Sequence, residues 1–107
     1  MTFADDTTDD VLPGSLWVVL PDPVAFDGSQ LGAGIDGYSV PATPAGSRLH
    51  NGPIVRKFEL LPGTFVLVAG TVPGLVLPSS TFVKLVSPRV CYVNARHFVV
   101  GRVKRVA

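Results

Sequence analysis

Short apolar runs separated by turn-forming pairs dominate this chain. Leu16-Trp17-Val18-Val19-Leu20, Phe65-Val66-Leu67-Val68 and Phe82-Val83-Lys84-Leu85-Val86 are rich in β-branched and aromatic residues, which suit a pleated, half-buried surface. The pattern predicts strands at roughly residues 15–20, 54–60, 64–69, 74–77, 81–86, 90–94 and 96–106. No segment keeps a 3.6-residue period between caps, so helix beyond a single turn is not expected. Short strands with turns at frequent intervals point to an all-β chain, a small antiparallel β-barrel or β-sandwich.

One phrase recurs along the chain. Leu12-Pro13-Gly14-Ser15-Leu16-Trp17-Val18-Val19-Leu20 is echoed by Leu61-Pro62-Gly63-Thr64-Phe65-Val66-Leu67-Val68, and more loosely by Leu77-Pro78-Ser79-Ser80-Thr81-Phe82-Val83. Pro-Gly at the centre of a turn suits type II geometry, because Pro presets φ and Gly accepts φ > 0. Each phrase reads as a tight turn feeding a strand, whether by duplication or by repeated use of one turn solution.

Two stretches break the rhythm. Residues 1–10 form an acidic polar segment with little to bury, expected to be an extended, flexible N-terminal arm on a single β domain of residues 11–107. Residues 21–53 hold five of the ten prolines and six of the eleven glycines, so they read as a long Pro/Gly-rich extended loop. Loops of that length are usually functional or disordered, and the spaced anchors Val24, Phe26, Leu31, Ile35, Tyr38 and Val40 favour function. The simpler alternative is a long hairpin with a short strand near 38–41.

Composition adds a surface problem. In a chain of 107 residues, 47% are hydrophobic and only 16% charged, against about 25% charged in typical soluble domains. A small domain has proportionally more surface to cover, so part of this apolar content is expected to be buried against other chains. The charge-free stretch 60–83 is long enough to cross a bilayer, but Pro62, Pro73 and Pro78 with Gly63, Gly70 and Gly74 would break a helix repeatedly. It reads as strands, and no membrane association is expected. The N-terminus lacks a basic segment followed by an apolar one, so no signal peptide is read there.

Charge changes the picture again. All nine cations lie at or after Arg48, whereas seven of the eight carboxylates lie before it. The first 47 residues therefore carry −7, and the remainder, with Glu59 the lone acid, carries +8. Such a division points to nucleic acid or to complementary self-assembly. If 96–106 is one strand, Arg96, Arg102 and Lys104 share a face with Tyr92 and Phe98, and cations interleaved with rings track phosphates and stack bases. Alternatively the basic strand, with Arg105, receives the acidic arm of a neighbour, Asp5, Asp6, Asp9 and Asp10, which would steer association. Phe26, Tyr38 and Trp17 are large enough to anchor an interface, although Trp17, inside an apolar run, reads better as core.

The motifs for catalysis or cofactors are weak. Gly32-Ala33-Gly34-Ile35-Asp36-Gly37 matches G-x-G-x-x-G, but the next four residues, Tyr-Ser-Val-Pro, open no helix to meet a pyrophosphate. Asp22, Asp27 and Asp36 lack calcium-loop spacing, and one cysteine with two distant histidines, His50 and His97, makes no zinc set. On one continuous strand, Cys91 and His97 would lie ~20 Å apart, beyond reach of each other. No enzyme, cofactor or metal site is expected, and the lone Cys91 fits a buried strand position.

Small size, Val-rich strands, an acidic arm, a long Pro/Gly extension and complementary charged poles together resemble the small capsid-associated proteins of viruses, such as decoration, cement or minor head proteins of tailed bacteriophages. The likeness is one of architecture and composition, and no residue roles follow from it. It implies a structural role in the virion after synthesis in the host cytoplasm, as a homo-oligomer or with other capsid proteins. The competing expectation is a small nucleic-acid-binding β-barrel using the basic C-terminal strand.

Overall fold

The computed structural model describes residues 11–21 and 34–107. The arm, residues 1–10, and residues 22–33 of the Pro/Gly-rich segment lie outside the described residues. The chain is all-β, with strands β1 (Leu16–Val19), β2 (Ile35–Tyr38), β3 (Lys57–Leu60), β4 (Phe65–Pro73), β5 (Thr81–Ser87), β6 (Cys91–Asn94) and β7 (Val103–Arg105). Among the described residues two short helices accompany them, α1 (Pro44–Leu49) and α2 (Arg96–Val99). The strands form one antiparallel sheet in the order β3-β2-β6-β5-β4-β1-β7.

The recurring phrase explains the centre of this sheet. Gly14 and Gly63 adopt φ of +85° and +89°, and each turn is closed by a backbone hydrogen bond, Ser15 N to Leu12 O at 3.0 Å and Thr64 N to Leu61 O at 3.1 Å. The two strands they feed then pair with each other, Leu16 with Leu67, Trp17 with Val66 and Val18 with Phe65. Each turn caps the far end of the other's strand. Gly14 N donates to Val68 O at 2.8 Å, and Gly63 N donates to Val19 O at 2.7 Å. Val68 N returns to Ser15 O at 3.0 Å and Val19 N to Thr64 O at 2.9 Å. The two copies of the phrase are thus related by a local two-fold axis running through the Trp17–Val66 pair.

The inner face carries the core. Trp17, Val19, Val66, Val68, Val83, Leu85, Cys91 and Val93 are buried, and Ile35 and Leu60 of β2 and β3 join the same cluster as Val103 of β7. Strands from both ends of the order share one core, so the sheet curls on itself. Among the described residues it does not close, because no ladder joins β3 to β7. Arg102 reaches across near this seam, its Nη2 donating to Gly34 O at 3.5 Å. Burying a Val- or Leu-sized side chain contributes about 1.5–3 kcal/mol, so this small, continuous cluster supplies most of the stability.

Three regions differ from the sequence reading. The expected strand at 74–77 is a connection, because β4 runs on through Pro73 before the chain turns, with Gly74 N bonded to Ser80 O at 2.7 Å and Ser80 N to Leu77 O at 2.9 Å. The expected strand at 96–106 is broken. Asn94 Oδ1 accepts from Arg96 N at 2.9 Å, a local side-chain turn of the kind Asn favours. This feeds the single turn of α2, and Gly101 at φ +79° lets the chain re-enter the sheet as β7. Within 21–53, β2 lies inside the sheet between β3 and β6, and α1 follows with Thr43 as N-cap, its Oγ1 accepting from Gly46 N at 3.0 Å.

The reciprocal turns make a stability prediction. Gly14→Ala and Gly63→Ala meet no steric obstacle, so each should lose about 1 kcal/mol from left-handed backbone alone. Denaturant midpoints should fall by similar amounts for both variants, and an unchanged midpoint in either would contradict the shared turn geometry.

Candidate docking surface

A sheet with one face on a core normally alternates apolar inside with polar outside, whereas strands buried on both faces read as continuous apolar runs. β1 and the first half of β4 read as such apolar runs, although only one of their faces lies on the core. Leu16 stands opposite Leu67, and Val18 opposite Phe65, on the side away from buried Trp17, Val19, Val66 and Val68. Phe65 is 57% exposed, and Leu16, Val18 and Leu67 are partly exposed. Leu12 and Leu61, equivalent positions in the two turns, are exposed at the ends of the strand pair. The local two-fold thus generates an uncharged patch of three matched pairs. Toward the sheet edge, Lys104 lies directly opposite Val18 and gives the patch a cationic border.

A second apolar projection follows α1. Leu49, the last residue of α1, and Ile54 in the loop beyond are 81% and 90% exposed, yet this helix end and loop are tied down. Gly52 N donates to Ser47 O at 2.7 Å, the Ser47 hydroxyl donates to Pro53 O, and Asn51 takes a left-handed φ of 54°. Fixed apolar side chains held out in water are costly for a lone molecule and suit a partner's surface.

The described members of the sequence-predicted site, Tyr38, Arg96, Arg102, Lys104 and Arg105, lie on different elements. Asp5, Asp6, Asp9, Asp10 and Phe26 lie outside the described residues. Tyr38 sits on β2, three places from β4 in the sheet, with its ring edge-on to Phe82 at 6.5 Å. Burial, and then Asp36, push its phenol above the ordinary value. Arg96 is exposed on α2, Arg102 approaches Gly34 O, and Lys104 and Arg105 occupy β7. The expected run of cations and rings along one C-terminal strand is absent, because α2 interrupts it. Phe98 turns inward and packs edge-on against Trp17, with ring centroids 4.8 Å apart. Trp17 is core as well, its Nε1 donating to Ser15 Oγ at 2.9 Å.

An open groove of about 430 Å³ lies between the β4–β5 connection and α2. Val11, the first described residue, lines it, as do Val99, Val100 and Arg96. Thus Val11, which follows the acidic residues 1–10 in sequence, lies beside Val99, Val100 and Arg96 in this groove.

Groups with chemical potential lie elsewhere. Cys91 is fully buried, and burial pushes its thiol up against a smaller opposing pull from Arg89. Of the Gly32–Gly37 motif, Gly32 and Ala33 lie outside the described residues, while Ile35 to Gly37 are in β2 and the next helix opens at Pro44. Among the described residues no cluster of His, Cys, Asp and Glu could hold a metal ion, and no helix is long and apolar enough to cross a membrane. No protein-family model matches the chain, and no curated protein or solved structure does so either.

His97 gives this region a pH signature. Burial, and then the Arg102 guanidinium, hold its imidazole below the ordinary 6.5, against an opposing pull from Asp36 and with a smaller lowering by Arg96. The unfolded chain therefore binds a proton that the folded chain refuses, and stability falls as pH drops through the ordinary histidine range. Melting temperature should decline between about pH 7 and pH 5.5, and His97→Gln should flatten that decline. An equal slope in the variant would place the effect on other groups.

Proposed function

We propose that this protein is a structural assembly component that docks on neighbouring subunits through its acidic arm, its Pro/Gly-rich segment and the outer face of β1 and β4. The observation that carries this reading is the apolar outer face, where Leu16–Leu67 and Val18–Phe65 pair on the side opposite the core. Exposed Leu49 and Ile54 support it, as does the charge division that sets an arm of four aspartates against a basic sheet. Opposite charges on arm and sheet would steer encounter and fix orientation, while the apolar face supplies the affinity.

The role fits a small capsid-associated protein of a virion, a decoration, cement or minor head protein of the tailed-phage kind. Its partners are further copies of itself or other capsid proteins. The function is mechanical and needs neither cofactor nor catalysis.

Native mass measurement and small-angle scattering test this directly. Phe65→Lys with Leu67→Lys should leave the fold intact, because neither side chain lies in the core, but should abolish self-assembly or capture by capsid shells. Removal of residues 1–10 should weaken assembly while the β domain stays folded. A wild-type protein that is a soluble monomer at high concentration and ignores capsid shells would overturn the proposal.

A further inference from the structure

Register brings together a row of side chains that no single strand contains. Lys84 on β5 is the direct partner of Tyr92 on β6, Tyr92 of Tyr38 on β2, and Tyr38 of Lys57 on β3. Direct partners in adjacent strands point to the same side of a sheet. Their sequence neighbours Val83, Leu85, Cys91 and Val93 are fully buried, so the row faces away from the core. With strands about 4.8 Å apart, the row from Lys84 to Lys57 spans roughly 14 Å. Lys57 is exposed, and Lys84, Tyr92 and Tyr38 are partly exposed. The edge contact of Phe82 with Tyr38 helps fix that ring.

We propose that this Lys84–Tyr92–Tyr38–Lys57 row binds single-stranded nucleic acid, with the lysines on phosphates and the tyrosine rings stacking bases. Two adjacent rings between two cations match a chain that alternates π-faces with negative charges. An acidic protein segment would engage the lysines but has no use for paired rings. The electrostatic background agrees, since the described residues hold nine cations against Asp36 and Glu59. Those two carboxylates face each other across β2 and β3, two residues along from Tyr38 and Lys57. They bound the site on that side and direct a phosphate backbone across the strands away from them. The site is separate from the apolar patch on β1 and β4, so it stands or falls independently of the assembly reading.

Fluorescence anisotropy with labelled oligo(dT) tests the assignment. Binding should be measurable at about 50 mM salt and should weaken steeply as salt rises. Tyr92→Leu should raise Kd about tenfold through lost stacking, while Tyr92→Phe stays near wild type. Lys84→Gln and Lys57→Gln should each weaken binding and lower the salt slope by about one. Lys57, exposed on the edge strand, provides a variant independent of packing, and circular dichroism checks that every variant is folded. Absence of binding at low salt would overturn the proposal. So would a Tyr92→Leu variant equal to wild type, or equally tight binding of polyglutamate or duplex DNA.

Discussion

The reciprocal pairing of β1 with β4 organises everything else in this domain. Each Pro-Gly turn ends where the partner strand finishes, so two local solutions lock into one long-range contact. A turn alone fixes a few dihedral angles at an entropic cost that nothing local repays. Here the repayment is mutual, because Gly14 N and Gly63 N each satisfy a carbonyl on the other phrase, Val68 O and Val19 O. From that centre β7 adds to β1, and β5 to β4. The inward residues of all four strands share one buried cluster with Phe98 of α2, which packs edge-on against Trp17.

Parts of this arrangement are legible in the sequence and parts are not, for physical reasons. Turn chemistry is local, so Pro13-Gly14 and Pro62-Gly63 announce both turns and the strands beyond them. The all-β class follows from the same signals. The break at α2 is hidden because Arg96 to Val103 has an apolar content that suits a strand. Asn94 and Gly101 decide the matter through a side-chain hydrogen bond and a left-handed residue. Gly74 to Leu77 mislead in the opposite sense, since β-rich composition cannot tell a strand from a connection packed against one. Register is a long-range property, so neither the Leu16–Leu67 and Val18–Phe65 patch nor the Lys84–Tyr92–Tyr38–Lys57 row can be seen before the strands are ordered. The chemical inventory for both was visible, but its placement was not.

The division of charge takes on a spatial meaning once the fold is known. Of the eight carboxylates, only Asp36 and Glu59 belong to the described domain, and they are cross-strand neighbours on β2 and β3. All nine cations belong to it too. The sheet is therefore a cationic body with one small acidic corner, and its counter-charge resides in the arm and in residues 22–33. The uncharged patch on β1 and β4 and the basic-aromatic row on β5, β6, β2 and β3 lie on different strands of the sheet.

The position of Trp17 gives the molecule a useful division of signals. It is the single tryptophan, enclosed on the inner side of β1 with its indole N–H held by Ser15 and its ring against Phe98. Both tyrosines stand on β2 and β6, in the row that faces away from the core. Indole emission therefore follows the integrity of the core, while tyrosine environment follows events on the outer surface. Unfolding and surface binding write to different chromophores, and the native chain can report on each without a label.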